Sequence, residues 1–334
     1  MIAYLLLEGV VDVLTTNWDD CIERGGTPER LQAVTDDRSL RRVQSPSVLK
    51  IHGCASVPDS LLVTSDDLQE PPTWAREQTQ ARLGSAVVIF IGIGDVAGYV
   101  RRRIEEAISE VGDIANIRVV SPSIVERWGS SQWSAVAPDL LADNKIEETS
   151  DAFMEHLGAA YIHLTLNGHV AALADDPQIM PYIRSSVDTL LTDDALSVLR
   201  WVRRTAVAPL QGVSVLDAGS TAEALTALGR LGEGGDISRR DQIFETPMGL
   251  FEILVATQRL SSRRMEQEAQ NRLSDHASRG ERPPQFLISG GIGWRTQNSE
   301  LPRDVLTEAD ATDIVDGPTT LKPDILLAQE VLAS

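Results

Sequence analysis

The residues able to do chemistry gather in short stretches of the first half of the chain. Thr15-Thr16-Asn17-Trp18-Asp19 sets hydroxyls, an amide and a carboxylate side by side. Lys50-Ile51-His52-Gly53 sets an imidazole, which titrates close to neutral pH, beside a glycine. Gly92-Ile93-Gly94 is a glycine turn, and Ser121-Pro122 is a polar stop. Each follows an apolar run: Val10–Leu14, Val48–Ile51, Ala86–Ile91 and Ile117–Val120. An apolar strand that ends in hydrogen-bonding side chains is how an open α/β sheet presents a ligand site. The plainer reading of Val10–Glu23 is a strand followed by a helix, with Asn17 or Asp19 as N-cap and Gly25 at its end. A lone histidine after a strand is more often a hydrogen-bonded loop residue, and a Gly-x-Gly more often a tight turn.

The elements that must position these stretches alternate. Ile2–Leu7 reads as a helix with Gly9 as its C-cap. After Val10–Leu14 come a helix at Asp19–Arg24, a polar connection over Gly25–Ser47, and the strand Val48–Ile51. Leu61–Thr64 reads as a short strand and Ser65-Asp66-Asp67 as a helix start. Helical patterns follow at Thr73–Leu83, Tyr99–Val111, Ile124–Trp128 and Thr149–Leu157. Ala86–Ile91 is apolar on both faces, as a central parallel strand should be. Strands alternating with helices at this spacing mean βαβ units and a mainly parallel sheet.

In order and spacing the motifs resemble the sirtuin superfamily, and more closely the compact sirtuin-like NAD hydrolases of prokaryotic anti-phage defence. There a strand ends in Thr-Thr-Asn-aromatic-Asp, as at Thr15–Asp19, and another in Lys-Leu-His-Gly, as at Lys50–Gly53 with Ile51 for Leu. A Thr-x-x-Asp/Glu segment follows, as at Thr64–Asp67, and a later strand ends in Gly-x-Ser, with Gly94 here in place of Ser. The resemblance covers residues 1–167. It implies a Rossmann-like α/β domain and cleavage of the nicotinamide–ribose bond of NAD. It makes Asn17 and His52 the catalytic pair and assigns Thr15, Thr16, Asp19, Gly92, Gly94 and Ser121 to binding NAD as substrate, with no metal. Asn17 would contact the ribose and order the attacking water, and an amide offers both donor and acceptor. Asp19 would lie near the nicotinamide amide, its alternative role being a charge partner of the helix N-terminus. His52 would take or polarise a hydroxyl proton.

The family opens with a strand and a Gly-Ala-Gly loop that cradles the NAD pyrophosphate, and nothing in this chain matches it. The chain therefore reads as an N-terminally truncated member that binds NAD weakly and leaves an apolar sheet edge exposed. Whether it is itself an enzyme stays open at this stage. The alternatives are a non-catalytic NAD- or ADP-ribose-binding or interaction module, and a protein deacylase. The deacylases brace their groove with paired CxxC motifs, whereas Cys21 and Cys54 here can form neither a zinc ribbon nor a disulfide framework.

Composition bounds the rest. The 334 residues suit two domains, and 42% apolar content suits ordinary cores. No run is long enough to span a membrane and no leader pattern is present, which makes the cytoplasm the expected place. A formal charge of −19, spread along the chain, argues against nucleic acid as a direct partner. NAD, a second copy of the chain or a defence-system protein are the partners expected.

Residues 168–334 read as a mostly helical domain that senses or oligomerises. Ile179–Ala208, Thr221–Leu231 and Met248–His276 look helical, the last with Arg259, Arg263 and Arg264. Gln211–Ala218 and Phe286–Ser289 read as strands. Gly290-Gly291-Ile292-Gly293 reads as a turn, because no Lys-Ser/Thr follows to make a phosphate loop. His156, His163 and His169 are spaced too loosely for a metal site.

Overall fold

The computed structural model describes residues 1–25, 31–43, 46–64, 66–67, 72–83, 87–92, 117–122, 144–210, 212–258, 260–290 and 322–334. The helices expected at Tyr99–Val111 and Ile124–Trp128 lie outside these residues. The chain is mixed α/β and divides into two compact units, Met1–Gly158 and Ala159–Ser334. Among the described residues, no helix is long and apolar enough to cross a membrane.

The first unit begins with helix α1 (Ile2–Leu7). It ends in a Schellman turn: Val10 N donates to Leu5 O at 2.9 Å and Gly9 N to Leu6 O at 3.1 Å. Gly9 supplies the left-handed backbone at φ 71° that this motif needs. Strand β1 (Val13–Thr15), helix α2 (Cys21–Gly25), β2 (Gln32–Val34), α3 (Asp37–Arg42) and β3 (Ser47–Lys50) follow. The strands form a parallel sheet in the order β1-β3-β2. Side-chain alternation divides its core. Val13 and Val48 join Ala3, Leu6, Leu7 and Leu31 on one face. Leu49 and Leu14 join Val34, Trp74 and Ala75 on the other. A parallel sheet needs both faces covered, and α1 serves one while helix α4 (Thr73–Leu83) serves the other.

A second parallel sheet has the order β4-β5-β6, from Val88–Ile91, Ile117–Val120 and Lys145–Ile146. The one sheet expected from the sequence is therefore divided in two among the described residues. Among the described residues the strand expected to be central stands at the edge of its sheet, with Val87 before it exposed. Leu61–Thr64 is not a strand; Leu62 N instead donates to His52 O at 3.1 Å. Helix α5 (Ser150–Ala172) runs far beyond the expected Leu157.

The second unit holds α6 (Met180–Leu191), α7 (Ala195–Thr205), α8 (Gly219–Leu231), α9 (Ser262–Ser278) and α10 (Ala328–Ala333). The expected helix Ile179–Ala208 is broken by an N-cap, where Asp194 accepts from Ser197 N at 2.9 Å. These helices surround a five-stranded sheet, β11-β10-β9-β8-β7. Its strands are β7 (Ser238–Arg240), β8 (Ile243–Thr246), β9 (Gly249–Val255), β10 (Gln285–Ser289) and β11 (Ile325–Leu327). The first part of the expected helix Met248–His276 is thus the strand β9. A short apolar run such as Leu250–Val255 has no period that separates a buried strand from a buried helix. The helix proper starts at Ser261, whose hydroxyl accepts from Arg264 N. Gln211–Ala218, expected as a strand, is turns and coil among the described residues. Helix α9 packs on one face of β9 and β10, with Met265, Ala269 and Leu273 against Leu254, Phe286 and Ile288.

Candidate functional site

The pairing of β1 with β3 sets the geometry of the first strand ends. Thr15 stands opposite Lys50 in parallel register. Two residues further along each chain come Asn17 and His52, so both leave the carboxyl edge of adjacent strands. Ile51 N donates to Thr15 O at 3.1 Å, and Ala55 N to Trp18 O at 2.7 Å. These bonds run the two loops side by side past the end of the sheet.

The loop after β1 is held locally and from below. Thr15 Oγ1 accepts from Asn17 N at 3.0 Å, which turns the chain and leaves the Asn17 side chain exposed. Asp19 Oδ1 accepts from Cys21 N at 3.1 Å at the start of α2. That backbone N–H, with the Cys21 thiol, holds the Asp19 carboxyl below its ordinary pKa. Asp19 thus fills its plainer role at a helix N-terminus while remaining exposed. Lys50 lies beneath. It is 1% exposed, its Nζ donates to the Asp19 carbonyl, and it meets Glu23 Oε1 of α2 at 3.0 Å. Lys50 and Glu23 are positioning residues that the strand-end motifs alone do not single out. A lysine at the end of an apolar strand is the signal that marks such a pair, since a buried ammonium requires an acid nearby.

The loop after β3 is rigid for a different reason. Gly53 has φ +87°, and a Cβ there would lie 2.1 Å from Ser60 O. Only glycine lets the chain turn against the segment Pro58–Ser60, a short 3-10 turn. Cys54 N donates to Ser60 Oγ at 3.0 Å, and Ser60 Oγ to Val57 O at 2.6 Å. His52, at the base of this loop, is 8% exposed, and burial holds its imidazole below its ordinary pKa. Beyond it, Thr64 and Asp67 cap each other: Asp67 N donates to Thr64 Oγ1 and Thr64 N to Asp67 Oδ2, both at 3.1 Å.

The other candidates belong to the second sheet. Ile91 pairs with Val120, so Gly92 and Ser121 leave the carboxyl edge of β4 and β5 side by side. Gly92 has φ +70°, and Ser121 N donates to Ile146 O at 3.1 Å. Gly94 lies outside the described residues. The structure therefore brings Thr15, Thr16, Asn17, Asp19 and His52 to one sheet edge and Gly92 with Ser121 to another. His156 Nδ1 lies 3.1 Å from Glu148, and His169 Nε2 lies 2.8 Å from Leu216 O. Among the described residues, no group of His, Cys, Asp and Glu is clustered to hold a metal.

In known proteins, residues 11–147 match the family model described as SIR2-like domain. No curated protein and no solved structure matches the chain. The matched segment starts with β1, ends with β6, and contains every strand end described above. By this match residues 11–147 form a SIR2-like domain, the domain type of the sirtuin superfamily.

Proposed function

We propose that the SIR2-like domain hydrolyses NAD to nicotinamide and ADP-ribose, and that the protein acts as an effector in bacterial anti-phage defence. The observation that supports the reaction most directly is the Thr15–Lys50 register, which brings an exposed amide and a buried imidazole to one sheet edge within the SIR2-like segment. Support for the defence setting is the motif order Thr-Thr-Asn-Trp-Asp, then Lys-Ile-His-Gly, in a chain without paired CxxC motifs.

In this reaction the C1′–N bond of the nicotinamide ribose breaks. Its electron pair returns to the pyridinium nitrogen, which leaves neutral. Water bonds to C1′ and gives up one proton. Asn17 presents a donor and an acceptor to the ribose hydroxyls and the water. His52, kept neutral by burial, accepts the proton. Lys50 and Glu23 hold the Asn17 loop from below and touch nothing that reacts.

Release of nicotinamide from NAD by the purified chain tests the proposal. Asn17→Ala and His52→Ala are each expected to lower it about a hundredfold or more. Wild-type turnover in either variant removes that residue from the mechanism. Release that requires an acetylated peptide identifies a deacylase instead.

A further inference from the structure

The second unit contains a cleft of about 470 Å³, which is the size of a small-molecule site. Its walls include Ser214, Asp217, Gly219, Ser220, Thr257 and Gly290. β9 and β10 are parallel neighbours paired through Val255 and Ser289, so Thr257 and Gly290 lie just past their carboxyl ends. Ligands of α/β sheets settle at such ends.

Helix α8 points its N-terminus into this cleft. Ala218, at its N-cap, makes no side-chain capping bond. Thr221 and Ala222 donate to Ala218 O, and the amides of Gly219 and Ser220 have no acceptor among the described residues. Gly219 faces open space: a Cβ there meets nothing within 4 Å. Two wall hydroxyls add to these donors. Ser220 is 4% exposed, and its hydroxyl has no partner among the described residues. Thr257 Oγ1 is inaccessible to solvent and likewise has none. Buried hydroxyls are ordinarily hydrogen-bonded, so a pair without partners on one cleft points to a ligand that completes them. Free amides at a helix N-terminus favour an anionic group.

One wall has the opposite character. Asp217 is exposed and has no ion-pair partner among the described residues. Its backbone N–H donates to Ser214 Oγ at 2.8 Å, and Tyr161 OH lies 2.6 Å from the same oxygen, so the residue is firmly placed. A bare anion is repelled by this carboxylate. A molecule carrying both a phosphate and hydroxyls satisfies both ends, with its phosphate at the start of α8 and a hydroxyl donating to Asp217. The lining also includes apolar Val213 and Ala256, against which a base can lie. We propose that the second unit binds a nucleotide in this cleft. The proposal is independent of NAD cleavage by the SIR2-like domain.

Calorimetric titration of the full chain with inorganic phosphate, ribose 5-phosphate and AMP tests it. AMP is expected to bind saturably and most tightly, ribose 5-phosphate more weakly, and phosphate least. Ser220→Ala removes an unpaired hydroxyl and should weaken AMP about tenfold without lowering the melting temperature. Gly219→Glu fits the open space, suits a helix N-terminus, and should weaken AMP by at least about tenfold because its carboxylate takes the place of the phosphate. Absence of saturable AMP binding at millimolar concentration overturns the proposal. So does wild-type AMP affinity in Ser220→Ala, which keeps the test decisive should Gly219→Glu fail to fold. Equal affinity for ribose 5-phosphate and AMP overturns the nucleotide assignment in favour of a sugar phosphate.

Discussion

Lys50 and Glu23 form the most consequential buried pair in the SIR2-like domain. Both side chains are almost wholly buried, and apart from their 3.0 Å contact the Glu23 oxygens find no hydrogen-bond donor among the described residues. Such a pair adds little net stability, but removal of one partner strands the other charge. Lys50→Met is therefore expected to destabilise the protein by about 3–5 kcal/mol, whereas Lys50→Met with Glu23→Leu should recover most of that loss. Urea unfolding of the single and double variants gives the comparison. If the single variant unfolds like wild type, the pair is not what holds the Asn17 loop. The double variant, even if stable, has lost the bond from Lys50 to the Asp19 carbonyl. Its nicotinamide release should fall while its fold persists.

Among the elements, close approach decides where glycine is required. Gly229 lies inside α8, where exchange to Ala ordinarily gains about 1 kcal/mol of helix propensity. Here a Cβ would lie 1.9 Å from Tyr182 O of α6, because the two helices pack at that point. Overpacking costs about 1–3 kcal/mol and outweighs the propensity gain, so Gly229→Ala should lower stability. Gly53→Ala in the first unit meets both a 2.1 Å clash and a left-handed backbone, and should cost roughly 2–4 kcal/mol. Thermal melts of both variants check the ranking, and a rise in melting temperature for Gly229→Ala contradicts the close helix contact.

On the scale of the whole molecule, the two units carry histidines with opposite pH responses. Burial holds His52 below its ordinary pKa, so the unfolded chain binds its proton more readily. Its contribution to stability is complete above about pH 6.5 and is lost as pH falls toward the folded value. His276 in the second unit is shifted the other way. Burial of its ring opposes protonation, but Glu252 at 2.8 Å and Glu281 at 2.6 Å outweigh it and raise the pKa. Arg272, 2.7 Å from Glu252, belongs to the same network. That contribution is present below about pH 6.5 and is lost as pH rises through the raised value. His276→Gln should flatten the fall in stability on the alkaline side, and His52→Gln the fall on the acid side. Denaturant unfolding across about pH 5 to 8 reads both arms. An alkaline arm that survives in His276→Gln assigns it to another group.

Much of the first unit could be read from residue types alone. The runs Val10–Leu14, Val48–Ile51 and Ala86–Ile91 announced parallel strands, and the first two motifs announced polar groups at the strand ends, because backbone alternation and polar strand ends are local properties. The Gly9 turn was legible for the same reason; the reciprocal Thr64–Asp67 cap was not, because Thr64 reads as the end of an apolar run. Strand pairing was not. Among the described residues, the division into two three-stranded sheets and the edge position of Val88–Ile91 depend on which strand each one meets along the chain. Leu250–Val255 read as helix because its period is silent; the hairpin with β8 and the partners of buried Glu252 made it a strand. Lys50 could be named from the sequence as part of a motif, but its burial against Glu23 and Asp19 required α2 to fold back beside β3. The second-unit cleft required still more, since Asp217, Ser220, Thr257 and Gly290 share no local pattern. Local chemistry determines where a strand ends and what it offers there. Which ends meet is decided by long-range pairing and packing, and only the tertiary structure contains it.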